Sequence, residues 1–261
     1  MDDSMIGRWL SELPMDDPTR KSTSRPLLRR FTHHAEPIKY KKLIGEGTEG
    51  VVYLVKIADC EYALKIFRKW SYRGRKGISE RQQAYTSPFS HECRAFARLD
   101  SLDENGTWAV KCHGWIKLSD EQFRPLRRYD WLSRWAIVKD YIPNKVAITD
   151  VPEIRRKMLI ARKALLHPED AKPVNFRGSF FVDLGTVRTY PYPQRLWSNT
   201  ERRDFFEWFD RSASEWEVSV TDGNVVEGWI NKQLKCRIPE LEQQEKEMEA
   251  RKSNVVITSG S

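Results

Sequence analysis

The alternation of apolar and polar residues predicts β-structure from Pro37 onward. The first two predicted strands flank a glycine-rich loop, and a turn at Ala58 and Asp59 leads to the third. The segments with this pattern are residues 38–44, 51–56, 61–67, 108–118 and 135–141. We therefore predict a five-stranded antiparallel sheet.

Helical spacing of apolar residues appears outside these strands. One short helix is predicted before Pro14, on Ile6, Trp9, Leu10 and Leu13. Ser90 is a candidate N-cap for a second helix and Asp150 for a third. Further helices are expected at residues 200–209 and 225–234.

These patterns divide the chain into four parts. Residues 1–36 are an arm that we expect to be partly disordered, and residues 37–143 hold the sheet, with an exposed basic insert at 68–88. Residues 144–238 are mainly helical, and residues 239–261 form a charged tail with little apolar face. The insert is read either as a solvated face or as a surface for an acidic or nucleic-acid partner.

Composition narrows the class of protein. The 261 residues are 39% hydrophobic, with 10 Trp and 11 Phe, which is ample material for a folded core. No apolar run approaches the roughly 20 residues that span a bilayer, so we expect no membrane insertion. Four scattered cysteines and an acidic start predict a reducing compartment, cytoplasmic or nuclear. The net charge of +8 permits nucleic-acid binding, but no module interleaves aromatic and basic residues for it, so we consider nucleic acid an improbable partner.

The glycine-rich loop contains Gly45, Gly47 and Gly50 and lies between two predicted strands. Glycines let a backbone approach phosphoryl oxygens closely, and a strand rather than a helix follows, so we predict a hairpin that covers phosphates. Val52, just beyond it, could then press on a base. A backbone hydrogen bond to adenine is predicted where the last strand ends, at Asp140 and Tyr141.

Lys65 is a charged residue in an otherwise apolar strand, so its ammonium must reach water or find an anion. An edge-strand lysine facing solvent is the commoner arrangement. Glu92, in the first turn of the second helix, is either a partner of the helix dipole or the anion that pairs with Lys65.

Three polar residues cluster in the stretch from His167 to Gly185. Asp170 and Asn175 precede a predicted hairpin turning at Arg177 and Gly178, and Asp183 follows it, so Asn175 and Asp183 should be neighbours. Their oxygens suit Mg²⁺, which binds few protein ligands and keeps water and phosphate oxygens. Asp170 would orient a hydroxyl nucleophile. Taken singly, Asp170 is better interpreted as the cap of a turn and Asp183 as the end of a strand, and it is their combination with Asn175 that favours a site.

Taken in chain order, these motifs resemble those of protein kinases over about residues 40–185. The resemblance implies an α+β, two-lobed protein kinase-like fold, with a five-stranded antiparallel N-lobe sheet and a reduced, mainly helical C-lobe. The motifs are Gly45-x-Gly47-x-x-Gly50-x-Val52, Ala63-Leu-Lys65, Glu92, Asp170-x-Lys172-x-x-Asn175 and Asp183-Leu-Gly185.

The resemblance also implies ATP and Mg²⁺ as cofactors and a role for each residue. Lys65 would hold the α and β phosphates and pair with Glu92, while Lys172 would help to neutralise the γ phosphate. Asp170 would accept or orient the substrate hydroxyl. The metal would bind Asn175 and Asp183, and the nucleotide would also contact Gly45, Gly47, Gly50, Val52, Ala63, Asp140 and Tyr141.

Two departures from the kinase pattern weaken the case for catalysis. Pro168 and Glu169 stand where kinases have His-Arg before the catalytic aspartate, and Glu169 would repel a phosphorylated activation segment. Nothing after Gly185 resembles an Ala-Pro-Glu motif, and the remaining chain is short for a full C-lobe. ATP binding is therefore better supported than a peptide acceptor.

A narrower resemblance is to small kinase-like proteins of filamentous fungi catalogued under the name of a kinetochore subunit. It rests on short stretches at residues 91–96 and 181–183. Two functions follow. The first is a minimal phosphotransferase that moves the γ phosphate to a hydroxyl, such as Ser or Thr of a protein substrate. The second is a pseudokinase scaffold, binding nucleotide at most and acting with a protein partner, as a kinetochore-type subunit would.

Overall fold

The sheet of this protein has seven strands. The computed structural model describes residues 7–19, 21–72, 74, 76–193 and 196. Strands in the sheet are β1 (Leu10–Pro14), β2 (Leu28–Arg30), β3 (Lys39–Glu46), β4 (Gly50–Ile57), β5 (Cys60–Arg68), β6 (Cys112–Lys117) and β7 (Leu132–Asp140). Their order is β1-β2-β6-β7-β5-β4-β3. The mixed α+β class is thereby confirmed, whereas the predicted number of five strands is wrong.

The five predicted strands are β3 to β7, and they pair antiparallel as expected. The turn between β4 and β5 has positive φ at Ala58 and Asp59, the conformation that suits a tight hairpin. The two additional strands pair parallel, β1 with β2 and β2 with β6, so the whole sheet is mixed.

The extra strands come from the predicted arm. Instead of a helix, the chain forms a short 3-10 turn at Gly7–Trp9 and then β1. The Trp115 indole nitrogen donates to the Ser11 carbonyl at 3.0 Å, and Leu28 is buried. Strand β2, which itself pairs with the edge of β6, thus supplies backbone partners to β1 that outweigh the helical spacing of this short segment.

In the described part of the chain, four α-helices accompany the sheet: α1 (Glu80–Gln83), α2 (Pro88–Ser101), α3 (Asp120–Phe123) and α4 (Val151–Lys163). Ser87, not Ser90, caps α2, because its hydroxyl accepts the Ser90 backbone N–H at 3.1 Å and Pro88 suits the first helical position. Asp150 precedes α4 as predicted, but its side chain makes no cap hydrogen bond. No helix in the described part of the chain is long and apolar enough to cross a membrane.

The two faces of the sheet have different neighbours. Tyr62, Leu64 and Ile66 lie in the main apolar core with side chains of β4, β6 and β7. Lys65 and Phe67 point to the opposite face because side chains alternate along a strand. Phe67 meets Phe89 of α2 with ring centroids 5.1 Å apart, so α2 covers the face that carries Lys65.

Short strands follow α4. They are β8 (Leu166–Pro168), β9 (Phe176–Arg177), β10 (Phe180–Phe181) and β11 (Val187–Thr189). The predicted hairpin is confirmed as β9 and β10, with Gly178 at φ 50° in the turn. β11 turns back to pair with β8. The predicted helices at 200–209 and 225–234, and the tail, lie outside the described residues.

Candidate functional site

A cleft of about 790 Å³ lies between the β3–β4 loop, the end of β7 and the segment from Asp170 to Thr186. Every residue predicted for the site lines this cleft except Glu92, which is fully buried behind Lys65. The residues brought together are Gly45, Gly47, Gly50, Val52, Ala63, Lys65, Asp140, Tyr141, Asp170, Lys172, Asn175 and Asp183. The structure thus places side chains from distant parts of the sequence around one opening.

Lys65 is the centre of an ion-pair network. Its ammonium nitrogen contacts a carboxylate oxygen of Glu92 and lies 2.7 Å from one of Asp183. Lys65 is 4% exposed, so the prediction that it needs a buried anion is confirmed, and Glu92 is that partner. The alternative of a solvent-facing edge lysine is wrong, because β5 lies between β4 and β7.

Glu49 is a third anion on Lys65, and sequence reasoning missed it. Its carboxylate lies 2.7 Å from the Lys65 ammonium although it belongs to the glycine loop. The approach needs the glycine at position 185, because a Cβ there would come within 1.8 Å of a Glu49 oxygen. The Glu49 carboxylate therefore occupies the position beside the Lys65 ammonium where a phosphate would have to bind.

The pKa values in this cluster follow from burial and charge. Burial by itself would lower the pKa of Lys65, but Glu92, Asp183 and Glu49 raise it well above the usual range. Burial raises the pKa of Glu49 to about 7, aided by the charges of Asp183 and Glu92 and opposed by Lys65. Burial acts to raise the pKa of Asp183 too, but Lys65 and Lys139 outweigh it and hold that pKa below its ordinary value.

Lys139 is a second buried lysine that the sequence reasoning did not single out. Its ammonium lies 3.2 Å from Glu92 and donates to the Val182 carbonyl at 2.8 Å. It occupies a charged position in an apolar strand, the same signal that identified Lys65, and that signal could have found it. Glu92 thus joins two lysines from neighbouring strands.

Asp170, Lys172 and Asn175 form a second polar group in the cleft. The Asn175 amide nitrogen donates to the Asp170 carboxylate at 3.0 Å and to its backbone carbonyl at 2.7 Å. The Lys172 ammonium lies 2.9 Å from the same carboxylate. Since the Asn175 nitrogen is engaged, its side-chain oxygen is the atom that remains for a metal or a water.

The segment beside Asp170 is fixed by the β8–β11 pairing. Glu169 forms an ion pair with Arg188 at 2.7 Å. His91 of α2 reaches the same region: its Nδ1 donates to the Gly185 carbonyl at 2.7 Å and its Nε2 lies 3.0 Å from the Tyr192 hydroxyl. Burial lowers the pKa of His91 to about 4, so the ring is neutral at pH 7.

The predicted base-binding segment is partly engaged by the protein itself. The Asp140 backbone N–H donates to the Lys111 carbonyl at 2.9 Å, and its side chain is paired with His113. The hydrogen bond from His113 lowers the pKa of Asp140. A base at this end of the cleft would therefore need other backbone groups of the segment.

The donor set fits a magnesium nucleotide only in part. Asp183 and Asn175 offer oxygen ligands to one cleft, and the Asp183 side chain is 41% exposed. The tighter carboxylate group, Glu49, Glu92 and Asp183, has ligand atoms within 4.8 Å of one another but already surrounds the Lys65 ammonium. A phosphate could reach Lys65 once Glu49 moves away.

Fold and site define an α+β protein with a large polar cleft at one side of its sheet. A family model described as kinetochore Sim4 complex subunit FTA2 matches residues 13–188. Because this match covers more than half of the chain, the protein belongs to the FTA2 family. No curated protein sequence matches it.

Proposed function

We propose that this chain is a subunit of a kinetochore complex that works in the nucleus through protein partners. The observation that carries the proposal is the family match, whose residues extend over the sheet and the cleft. We further propose that the cleft is a nucleotide site of the protein kinase type that serves binding rather than turnover. This is the scaffold function named from the sequence.

The cleft supports the kinase-type part of the proposal by its arrangement. The antiparallel strands β3–β7 carry a glycine loop, and α2 packs on the face that carries Lys65. The buried pair of Lys65 and Glu92 would position two phosphates. The hairpin of β9 and β10 separates Asn175 from Asp183, and the Val182 N–H donates to the Asn175 carbonyl at 2.9 Å, which keeps the two ends together.

The contacts of two glutamates favour binding over catalysis. Glu49 competes with phosphate for Lys65, and Glu169 replaces a cation beside Asp170 while it is paired with Arg188. Phosphoryl transfer depends on positioning and charge neutralisation, so a carboxyl group that competes for Lys65 and the lack of a cation at position 169 both work against it.

ATP would be held by Lys65, the glycine loop and the apolar side chains of Val52 and Ala63, and Mg²⁺ by Asn175 and Asp183. When bound, the metal would supply positive charge to the phosphate oxygens. The chain's own lysine at position 172 lines the same cleft and would add to that charge.

Thermal unfolding with Mg²⁺-ATP tests the nucleotide site. Ligand at a hundredfold excess over Kd adds about 2.7 kcal/mol to stability, so the parent should unfold at a clearly higher temperature. Asp183→Ala should lose this stabilisation, whereas Asp130→Ala, an exposed aspartate outside the cleft, should keep it. An unchanged unfolding temperature for the parent would refute the site.

Phosphotransfer is the second candidate function, and the geometry of Asp170 favours it. Its carboxylate is held by Asn175 and Lys172 at the cleft, where a hydroxyl could be oriented. Incubation with γ-labelled ATP and a mixture of protein acceptors should then yield labelled protein. The label should disappear in Asp170→Ala, and labelling that survives this change would show that another residue is the base.

A further inference from the structure

A second cavity, of about 330 Å³, lies on another side of α2. Glu92 of this helix faces Lys65, and Arg94, two residues later and about 200° further round the helix, lines the second cavity. Its other walls come from the N-terminal segment, the basic insert and the residues after β11. No described residue lines both cavities.

The second cavity is strongly basic. Among the described residues, its lining includes no aspartate or glutamate and contains the arginines Arg8, Arg25, Arg81, Arg94 and Arg98. Within the described residues none of the five is ion-paired, whereas Arg30, Arg134, Arg156 and Arg188 each contact a carboxylate. Like charges brought together without a counter-ion oppose folding, which indicates that an anion belongs there.

Arg94 is held rigidly in this wall. It is 7% exposed, and one terminal nitrogen donates to the carbonyls of Thr189 and Pro191, each at 2.6 Å. Its guanidinium lies 4.6 Å from the centroid of Tyr85 and 5.2 Å from that of Trp9. Burial lowers its pKa to about 10, and Arg98 adds to this effect. An arginine fixed between aromatic rings is already oriented for a ligand.

Several buried donors around the cavity have no acceptor within the described part of the chain. They are the Nη1 atom of Arg94, the Nε atom of Arg98 and the indole nitrogen of Trp9. Buried N–H groups are nearly always hydrogen-bonded, and leaving one unpaired destabilises the fold. Three such donors on residues that line one cavity therefore suit a ligand rich in acceptor oxygens.

We propose that this cavity binds a phosphomonoester group carried by a protein partner, such as a phosphorylated serine. A phosphoryl group has three acceptor oxygens and a charge near −2 at pH 7, which matches several guanidinium groups better than one carboxylate does. Clusters of arginine are a recurring means of recognising phosphorylated segments. The proposal rests on the proposed function only in taking the ligand to be part of a protein.

Fluorescence anisotropy with labelled peptide pools tests this assignment. One pool has a fixed phosphoserine among degenerate positions, and the other has serine in its place. The full chain should bind the phosphorylated pool at least about tenfold more tightly, since a tenfold ratio needs only about 1.4 kcal/mol. Equal binding of the two pools would overturn the proposal.

Charge reversals separate the cavity from the basic surface in general. Arg25→Glu and Arg81→Glu change exposed residues of the cavity, and each should weaken binding of the phosphorylated pool about tenfold or more. Arg127→Glu makes the same charge change at an exposed site outside the cavity and should have less than a twofold effect. If the control weakens binding equally, only net charge is involved and the cavity is not the site.

Arg94→Lys examines the guanidinium itself, because it keeps the charge and removes the planar donor group. We expect a loss at least as large as for Arg81→Glu. If this buried change impairs folding, the two exposed variants still decide the question. Displacement of the peptide by inorganic phosphate at equal concentration would overturn the assignment to a protein-borne group. Failure of any of these arms leaves the Mg²⁺-ATP titration of the cleft unaffected, so the two proposals fail separately.

Discussion

Glu49 determines how accessible Lys65 is to a ligand. In the structure its carboxylate, on the glycine loop, accepts a hydrogen bond from the lysine that a nucleotide would need. Hydrogen bonds to charged groups contribute about 1.5–3 kcal/mol, so this contact is strong enough to weaken phosphate binding by an order of magnitude.

Glu49→Gln should therefore bind Mg²⁺-ATP more tightly, with Kd lowered about tenfold. Isothermal titration calorimetry of parent and variant measures the difference. Glu46→Gln is the matched control, because it replaces a carboxylate beside the same loop, and within the described residues the carboxylates that contact Lys65 are those of Glu49, Glu92 and Asp183. Equal gains for both variants would attribute the effect to the general charge of the loop.

Gly185→Ala tests the same contact from the opposite side. A Cβ at position 185 would lie 1.8 Å from a Glu49 oxygen, so the carboxylate must move away from Lys65. We expect tighter Mg²⁺-ATP binding in this variant, measured by the same titration. A double variant with Glu49→Gln should bind no more tightly than either single variant, because both remove one contact.

His91 should make stability depend on pH. Its pKa is about 4 in the fold and near 6.5 when unfolded, so protonation favours the unfolded chain. The stability that the neutral ring contributes is fully present above pH 6.5 and is lost as the pH falls toward 4. At pH 5.5 the free energy of unfolding should already be lower by about 1.4 kcal/mol. Urea unfolding at pH 7.5 and 5.5 should show a smaller loss for His91→Gln than for the parent. An identical loss in both would exclude His91 as the source.

The close contact of strand β2 with strand β6 can be tested by a substitution at Gly114. Gly114 has φ 112°, and a Cβ there would lie 2.6 Å from the Arg29 carbonyl oxygen of β2. Gly114→Ala should destabilise the protein by about 1–3 kcal/mol for the backbone conformation and by a similar amount for the overpacking. Urea unfolding of the parent and the variant measures the sum of these two losses.

Gly77→Ala provides the matched control. Gly77 also has positive φ, 82°, but no atom of the described residues lies within 4 Å of the position that a Cβ would take there. Its variant should therefore lose only the conformational part of the stability. If both alanine variants unfold at the same urea concentration, the close packing of β2 against β6 contributes nothing measurable.

The elements that could be predicted are those whose own pattern determines them. Strands β3 to β7 alternate along six to nine residues, and the turns between them have suitable residues, so the sequence identifies them. β2 has only three residues and is stabilised by the edge of β6. The partner of β1 is β2, and the local pattern of a segment does not show a partner elsewhere in the chain, which is why a helix on Ile6, Trp9, Leu10 and Leu13 was predicted instead.

Those parts of the candidate site that depend on the spacing of residues along the sequence could be predicted. Asp170, Asn175 and Asp183 are placed by a short hairpin, and Lys65 by its strand. The contact of Glu49 with Lys65 depends instead on how a loop folds over the sheet and on the missing side chain at Gly185. Likewise, the arginine cavity joins four separate segments of the chain.

For the whole molecule, the scaffold function predicts that partner binding survives loss of the cleft chemistry. Tagged parent and Asp170→Asn chains expressed in the native cells should recover the same kinetochore proteins on affinity purification. Asp170 lines the cleft, and its side chain is half-exposed, so the change should leave the fold intact. Loss of all partners in this variant would instead favour the catalytic alternative.

The two N-terminal strands have a consequence for handling the protein. A chain begun at Pro37, where the predicted β-structure starts, would lack β1 and β2 and would uncover the backbone N–H and C=O groups of β6. Trp115, now 3% exposed, would face solvent beside them. An open strand edge flanked by a large aromatic ring invites pairing between molecules. Such a shortened chain should precipitate or self-associate, for reasons unrelated to its cleft.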